Sequence, residues 1–205
     1  IQSGTIASGK VTASNNTGYG ISGTTITGGT VESLSNATVG IYGASIAGGS
    51  INVHDNKINS TNYRVIQNST IGAGTINSYN NYDGLFGGTI NLLPNKTLSI
   101  YANNNSASGI ACTNINAATK VEVTNNGTGI YQGTINIDSS KLTISTNTTG
   151  INGSIINQAV KVEGKGKGTG TGIYNSNISK NAEVYNTGTG INLTNGTVNK
   201  AISAG

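Results

Sequence analysis

The chain has 205 residues, of which only 9% are charged and 5% aromatic, with a formal net charge of +4. A single cysteine excludes an internal disulfide framework, and no run of about 18 apolar residues or amphipathic membrane helix is present to span or anchor. Glycine (31), asparagine (31) and threonine (28) dominate, which leaves either a disordered polar tract or a repeat fold with a narrow aliphatic core.

Reading along the chain decides for the repeat. Aliphatics following Gly, or a near equivalent of it, recur at Ile21, Ile41, Val65, Leu85, Ile110, Ile130, Ile151, Ile173 and Ile191, with Ile1 opening an earlier unit. A second aliphatic follows, usually five residues later, at Ile6, Ile26, Ile46, Ile71, Ile90, Ile115, Ile135, Ile156, Ile178 and Val198. A third follows at Val11, Val31, Ile51, Ile76, Leu98, Val121, Leu142, Val162, Val184 and Ile202. Disordered tracts carry no such threefold beat. Ten units averaging about 21 residues, each with three short strand-like segments separated by Gly, Asn and Ser, predict an all-β parallel β-helix of triangular coils. No window keeps a helical period. Strand stacking at roughly 4.8 Å gives a rod about 45 Å long. Residues 1–205 form one solenoid domain, expected to be a segment of a longer rod because both ends break in phase with the repeat.

Extra residues at 52–64 and at 91–97 with 101–109 are expected as loops or corner variants. Cys112 lies two residues after Ile110 and is expected to point inward as a structural thiol. Asn-x-Ser/Thr triplets at Asn36, Asn126 and Asn195 follow from composition and are not read as glycosylation sites.

The residue after each Gly-Ile is expected to point outward, which puts Tyr42, Ile66, Phe86, Tyr131 and Tyr174 on one face as a candidate ligand-binding row. Lysines precede third-strand aliphatics at Lys10, Lys96, Lys120, Lys141, Lys161, Lys180 and Lys200, and those from Lys96 onward should sit near one corner of successive coils, a candidate attraction for anionic glycans. Glu122 and Glu163 should be solvated beside them.

The seven acids, Glu32, Asp55, Asp83, Glu122, Asp138, Glu163 and Glu183, are scattered, with no two within ten residues. Hydrolysis of glycosides needs paired carboxylates, and a lyase needs acidic calcium ligands near a base. The sole histidine, His54, reads as a surface-loop residue beside Asp55. The chain is therefore expected not to be an enzyme and to use no cofactor or metal. Nucleic acid is not an expected partner.

Units such as NNGTGIYQGTINI (125–137) and NTGTGINLTNGTVN (186–199) resemble the passenger domains of monomeric (type V) autotransporters, most nearly the large surface adhesins of fusobacteria. The resemblance spans essentially the whole chain. It implies a right-handed β-helix, and a monomeric, extracellular segment at the bacterial surface or secreted, binding a host glycan, a host protein or another bacterium. The alternatives are a β-helical carbohydrate-active enzyme and, third, an ice-binding solenoid using the Thr and Asn pairs of the second strand.

Overall fold

A computed structural model describes residues 1–56, 64–166, 169–185, 187–193, 196–199 and 202–204, so Lys200, Asn195 and most of the first insertion lie outside the described residues. It is all-β: a right-handed parallel β-solenoid of about nine turns of about 21 residues. Every strand pairing is parallel and joins one coil to the next, from Gln2–Ile6 on Ile21–Ile26 through to Thr171–Tyr174 on Thr189–Asn192. No helix among the described residues is long and apolar enough to cross a membrane.

The first two predicted columns form as expected. Ile21, Ile41, Leu85, Ile110, Ile130, Ile151 and Ile173 stack in register, each 2% exposed or less. Ile26, Ile46, Ile71, Ile90, Ile115, Ile135, Ile156 and Ile178 form the second. One coil slips by a residue. Ile66, not Val65, pairs with Ile41 and Leu85, so Gln67 takes the outward place expected for Ile66. Val65 is also fully buried, which is why spacing alone misplaced the pair.

The third strand has two inward columns rather than one. Val11, Val31, Ile51, Ile76, Ile100, Val121 and Leu142 make the first. Ala13, Ser33, Val53, Ser78, Ala102, Val123, Ile144, Val162 and Val184 make the second. Leu98 therefore faces Gly74 instead of continuing the column, and Val162 and Val184 belong to the second. Period-2 alternation offers two inward residues per strand, and only the register shows which one continues a given column.

Corners are made by residues in the left-handed region. Between first and second strands this is Gly23, Gly43, Asn68, Gly87, Cys112, Gln132, Gly153 and Asn175, with φ between 44° and 62°. The same conformation removes Cys112 from its expected inward place: Thr113 faces inward and donates to the Ala111 carbonyl at 2.8 Å, while Cys112 is half-exposed with Sγ 3.8 Å from Gln132 Oε1.

Between third and first strands the corner is a two-residue device. Asn15, Ser35, Asp55, Asn80, Asn104, Asn125 and Thr146 have φ of 53–57°. Each is followed by an Asn: Asn16, Asn36, Asn56, Asn81, Asn105, Asn126 and Asn147, all but Asn16 buried. These amides stack into a ladder inside the rod. Asn105 N and Nδ2 donate to Asn126 Oδ1 at 2.9 and 3.0 Å, and Asn126 N and Nδ2 donate to Asn147 Oδ1 at 2.8 and 3.0 Å. The buried side chains also donate back to a third-strand carbonyl, as Asn126 does to Ala102 at 2.9 Å. Each buried amide thus meets the requirement that polar groups out of water be hydrogen-bonded. Asn36 and Asn126, from the glycosylation-like triplets, are ladder members and sealed from solvent.

In most coils a glycine precedes the first-column aliphatic, with Val65 in that place before Ile66, and at several of these the missing Cβ is needed for packing. A Cβ at Gly150 would stand 2.2 Å from Val162 Cγ1 and 2.5 Å from the Gly172 carbonyl, and one at Gly129 would stand 2.9 Å from Asn147 Nδ2. Gly129 and Gly150 lie within strands, not at the turn. Gly150→Ala is expected to lower stability by about 1–3 kcal/mol through overpacking. Gly18→Ala, with open space around its Cβ, should leave the urea midpoint nearly unchanged, and equal midpoints for the two variants would refute the packing account.

Candidate functional site

Among the described residues inward positions are filled by aliphatics, amides and small hydroxyls, which leaves the three outer faces for a candidate site. On the first face one outward column runs Gln2, Ser22, Tyr42, Gln67, Phe86, Ala111, Tyr131, Asn152, Tyr174 and Asn192. The candidate residues Tyr42, Phe86, Tyr131 and Tyr174 therefore share one column, two coils apart and separated by smaller side chains, roughly 9.6 Å from one to the next. All four are half-buried, and Tyr42 is stacked on Tyr19 with ring centroids 4.8 Å apart. Ala111, in the gap between Phe86 and Tyr131, is 1% exposed.

The second face is flat and uncharged over most of its length. Thr5, Thr25, Ser45, Thr70 and Thr89 stand in one outward column. Asn157 donates to Asn136 and Asn136 to Asn116, each at 2.8 Å. Leu93, in the insertion at 91–97, lies over Gly72, whose missing Cβ makes room for it. The residues at 101–109 are not a loop: they complete a strand, Leu98–Asn103, and carry Asn105 of the ladder.

The third face gathers most of the charge, and the lysines do not make a single row. Lys10 and Lys120 occupy one position, with Thr30, Ser50, Thr75 and Ser99 between them, and Lys141 follows Lys120. Lys161 lies two residues further along its strand, beside Glu183, and Lys96 precedes the strand Leu98–Asn103. Unequal corner lengths shift the register of residues that are evenly spaced in sequence. Lys180 precedes the strand Ala182–Tyr185 and is exposed.

Several of these cations are held by acids. Lys10 reaches Glu32 at 3.2 Å, Lys120 reaches Glu122 at 3.0 Å, and Lys161 approaches Glu183 at 3.9 Å. The hydrogen bond and charge of Lys10 hold the Glu32 carboxyl below the usual range, and the hydrogen bond from Lys120 to Glu122 raises the lysine. Lys120 and Lys161 also sit 5.0 Å over the rings of Tyr101 and Tyr185. Such exposed pairs contribute little to stability but fix where the charges stand.

His54 departs from its expected loop position. It ends the strand Ser45–His54, stacks on Tyr79 at 4.8 Å, and lies 2.7 Å from Asp55 and 3.6 Å from Glu32. Among the described residues no group of three or more His, Cys, Asp or Glu side chains is arranged to hold a metal ion.

A depression of about 230 Å³ opens on this face over Thr143 and Ser145, bounded by Ser139, Lys161, Glu163 and Tyr185. Sequence reading placed Lys161 among the candidates with Glu163 solvated beside the lysines, but missed Ser139, Thr143, Ser145 and Tyr185. The alternation Lys-Val-Glu was legible, whereas the contribution of Tyr185, from the next coil, depends on register. Comparison with protein-family models, curated proteins and solved structures found no match to this chain.

Proposed function

We propose that the chain is a rigid, non-catalytic rod segment of a bacterial surface adhesin, the passenger of a monomeric autotransporter, exposed outside the outer membrane and carrying side-chain rows that bind host glycans, host proteins or other bacteria. The observation that carries this reading is the aromatic column Tyr42, Phe86, Tyr131 and Tyr174 on stacked parallel coils. The buried aliphatic column Leu85, Ile110, Ile130, Ile151 and Ile173 runs beside it from coil to coil, so these positions recur at fixed intervals. Rigid, partly exposed aromatics give contact area to sugar rings or protein surfaces at small entropic cost.

Binding of the immobilised chain to a glycan array and to host cells tests the proposal. Replacing Tyr131 and Tyr174 together by Ala should reduce capture several-fold, and replacing both by Phe should preserve it, since stacking survives loss of the hydroxyl. A double Ala variant that binds like the parent would exclude the column. Release of reducing ends or unsaturated sugars from a polysaccharide panel would overturn the non-catalytic reading.

A further inference from the structure

We infer that the depression over Thr143 and Ser145 is a binding subsite for one neutral pyranose unit of a glycan; this rests on the glycan-binding reading above and gives it a second, separate location. The strand Val160–Gly164 alternates buried Val160 and Val162 with outward Lys161 and Glu163. The two charged residues therefore stand about 6.6 Å apart along the strand, on the same side of the sheet. Register sets Glu163 between Ser145 of the coil before and Tyr185 of the coil after.

Thr143 and Ser145 are short, while Lys161, Glu163 and Tyr185 on the coils that follow are longer, so a hollow forms with a hydroxyl floor. Its volume, about 230 Å³, is below the range of drug-sized pockets and on the scale of a single sugar.

The chemistry of the rim selects the ligand. Lys161 offers three donors and Glu163 only acceptors when ionised. A sugar hydroxyl both donates and accepts, so adjacent hydroxyls can bridge such a pair with charge-assisted hydrogen bonds. The Lys161 ammonium is already positioned, 5.0 Å over the Tyr185 ring and 3.9 Å from Glu183. That arrangement lowers the ordering cost of binding. Lys161 and Glu163 are the one cation and the one anion among the residues that line the hollow, so a neutral sugar meets both a donor and an acceptor there. The Tyr185 ring supplies an apolar wall for ring carbons.

The test uses the whole chain with methyl glycosides of glucose, galactose, mannose and N-acetylglucosamine, and with glucuronate and glucosamine as charged probes, followed by saturation-transfer and chemical-shift titration. At least one neutral glycoside should bind with a Kd on the order of 1 mM. Lys161→Gln and Glu163→Gln should each weaken it about tenfold. Thr143→Leu, at an exposed position, should fill the hollow and abolish binding without altering the melt. Tyr131→Ala should have no effect on it. Preference for a charged probe, or binding indifferent to all three changes, would overturn the subsite. If the chain captures polymeric glycans through Tyr131 and Tyr174 but binds no neutral glycoside here, the subsite is wrong and the adhesive reading stands. No binding to any glycan would remove both.

Discussion

Asn126→Leu is expected to destabilise the rod by about 3–6 kcal/mol, although leucine matches asparagine in shape. Asn126 accepts hydrogen bonds from both Asn105 N and Asn105 Nδ2 and donates to the Ala102 carbonyl, all in an interior where Asn105 and Asn126 are 1% and 3% exposed. Leucine leaves these partners without a replacement, at about 1–3 kcal/mol for each buried group. The loss should also be local, because a solenoid's coils depend chiefly on their neighbours. Limited proteolysis should cut first around residues 104–126, and the urea midpoint should fall. Asn125→Gly is the control: Asn125 has φ of 56° and is exposed, a conformation glycine adopts freely, so its midpoint should barely move. A leucine variant as stable as the parent would show that the ladder contributes no net energy.

Ile130→Asp should have a comparable or larger effect, with a pH signature of its own. Ile130 is 0% exposed between Ile110 and Ile151, themselves fully buried. A carboxylate there has no partner in the aliphatic column, and burial disfavours its charged form, raising the folded-state pKa. The folded state then holds its proton over a range where the unfolded chain has released it. Stability of the variant is accordingly greatest below the unfolded pKa of about 3.9. It falls as pH rises from there toward the raised folded value, and levels off above it. Ile130→Val, which removes one methylene, should cost about 0.5–1.5 kcal/mol with no such pH dependence. Melts across pH 3–8 separate the two; a flat profile for the aspartate variant would place residue 130 at the surface and refute the register. The depressed Glu32 carboxyl, held by exposed Lys10, contributes in the opposite sense, its stabilisation being lost as pH falls through its folded value.

The sequence by itself determined the class of fold, the coil length and two of the inward columns. Gly-Ile and the aliphatic five residues later repeat in phase, and a parallel coil that cannot bury its own inner face must stack such residues. It also determined that Tyr42, Phe86, Tyr131 and Tyr174 occupy equivalent positions, since they follow the same motif. What only the tertiary structure decided depends on corners. Val65 and Ile66 are both aliphatic, as are Leu98 and Ile100, and the length of the preceding corner, not local propensity, sets which one enters a column. The same uncertainty displaced Lys161 from the lysine row. The asparagine ladder was hidden because Asn-Asn reads as a solvated turn; the left-handed residue before it turns the second amide inward, where the next coil supplies its partners. The hollow over Thr143 and Ser145 is likewise a relation between coils, formed by short side chains on one and Lys161, Glu163 and Tyr185 on the two that follow. Sequence separation conceals such contacts because residues some 20 apart become neighbours only when every intervening corner has its final length.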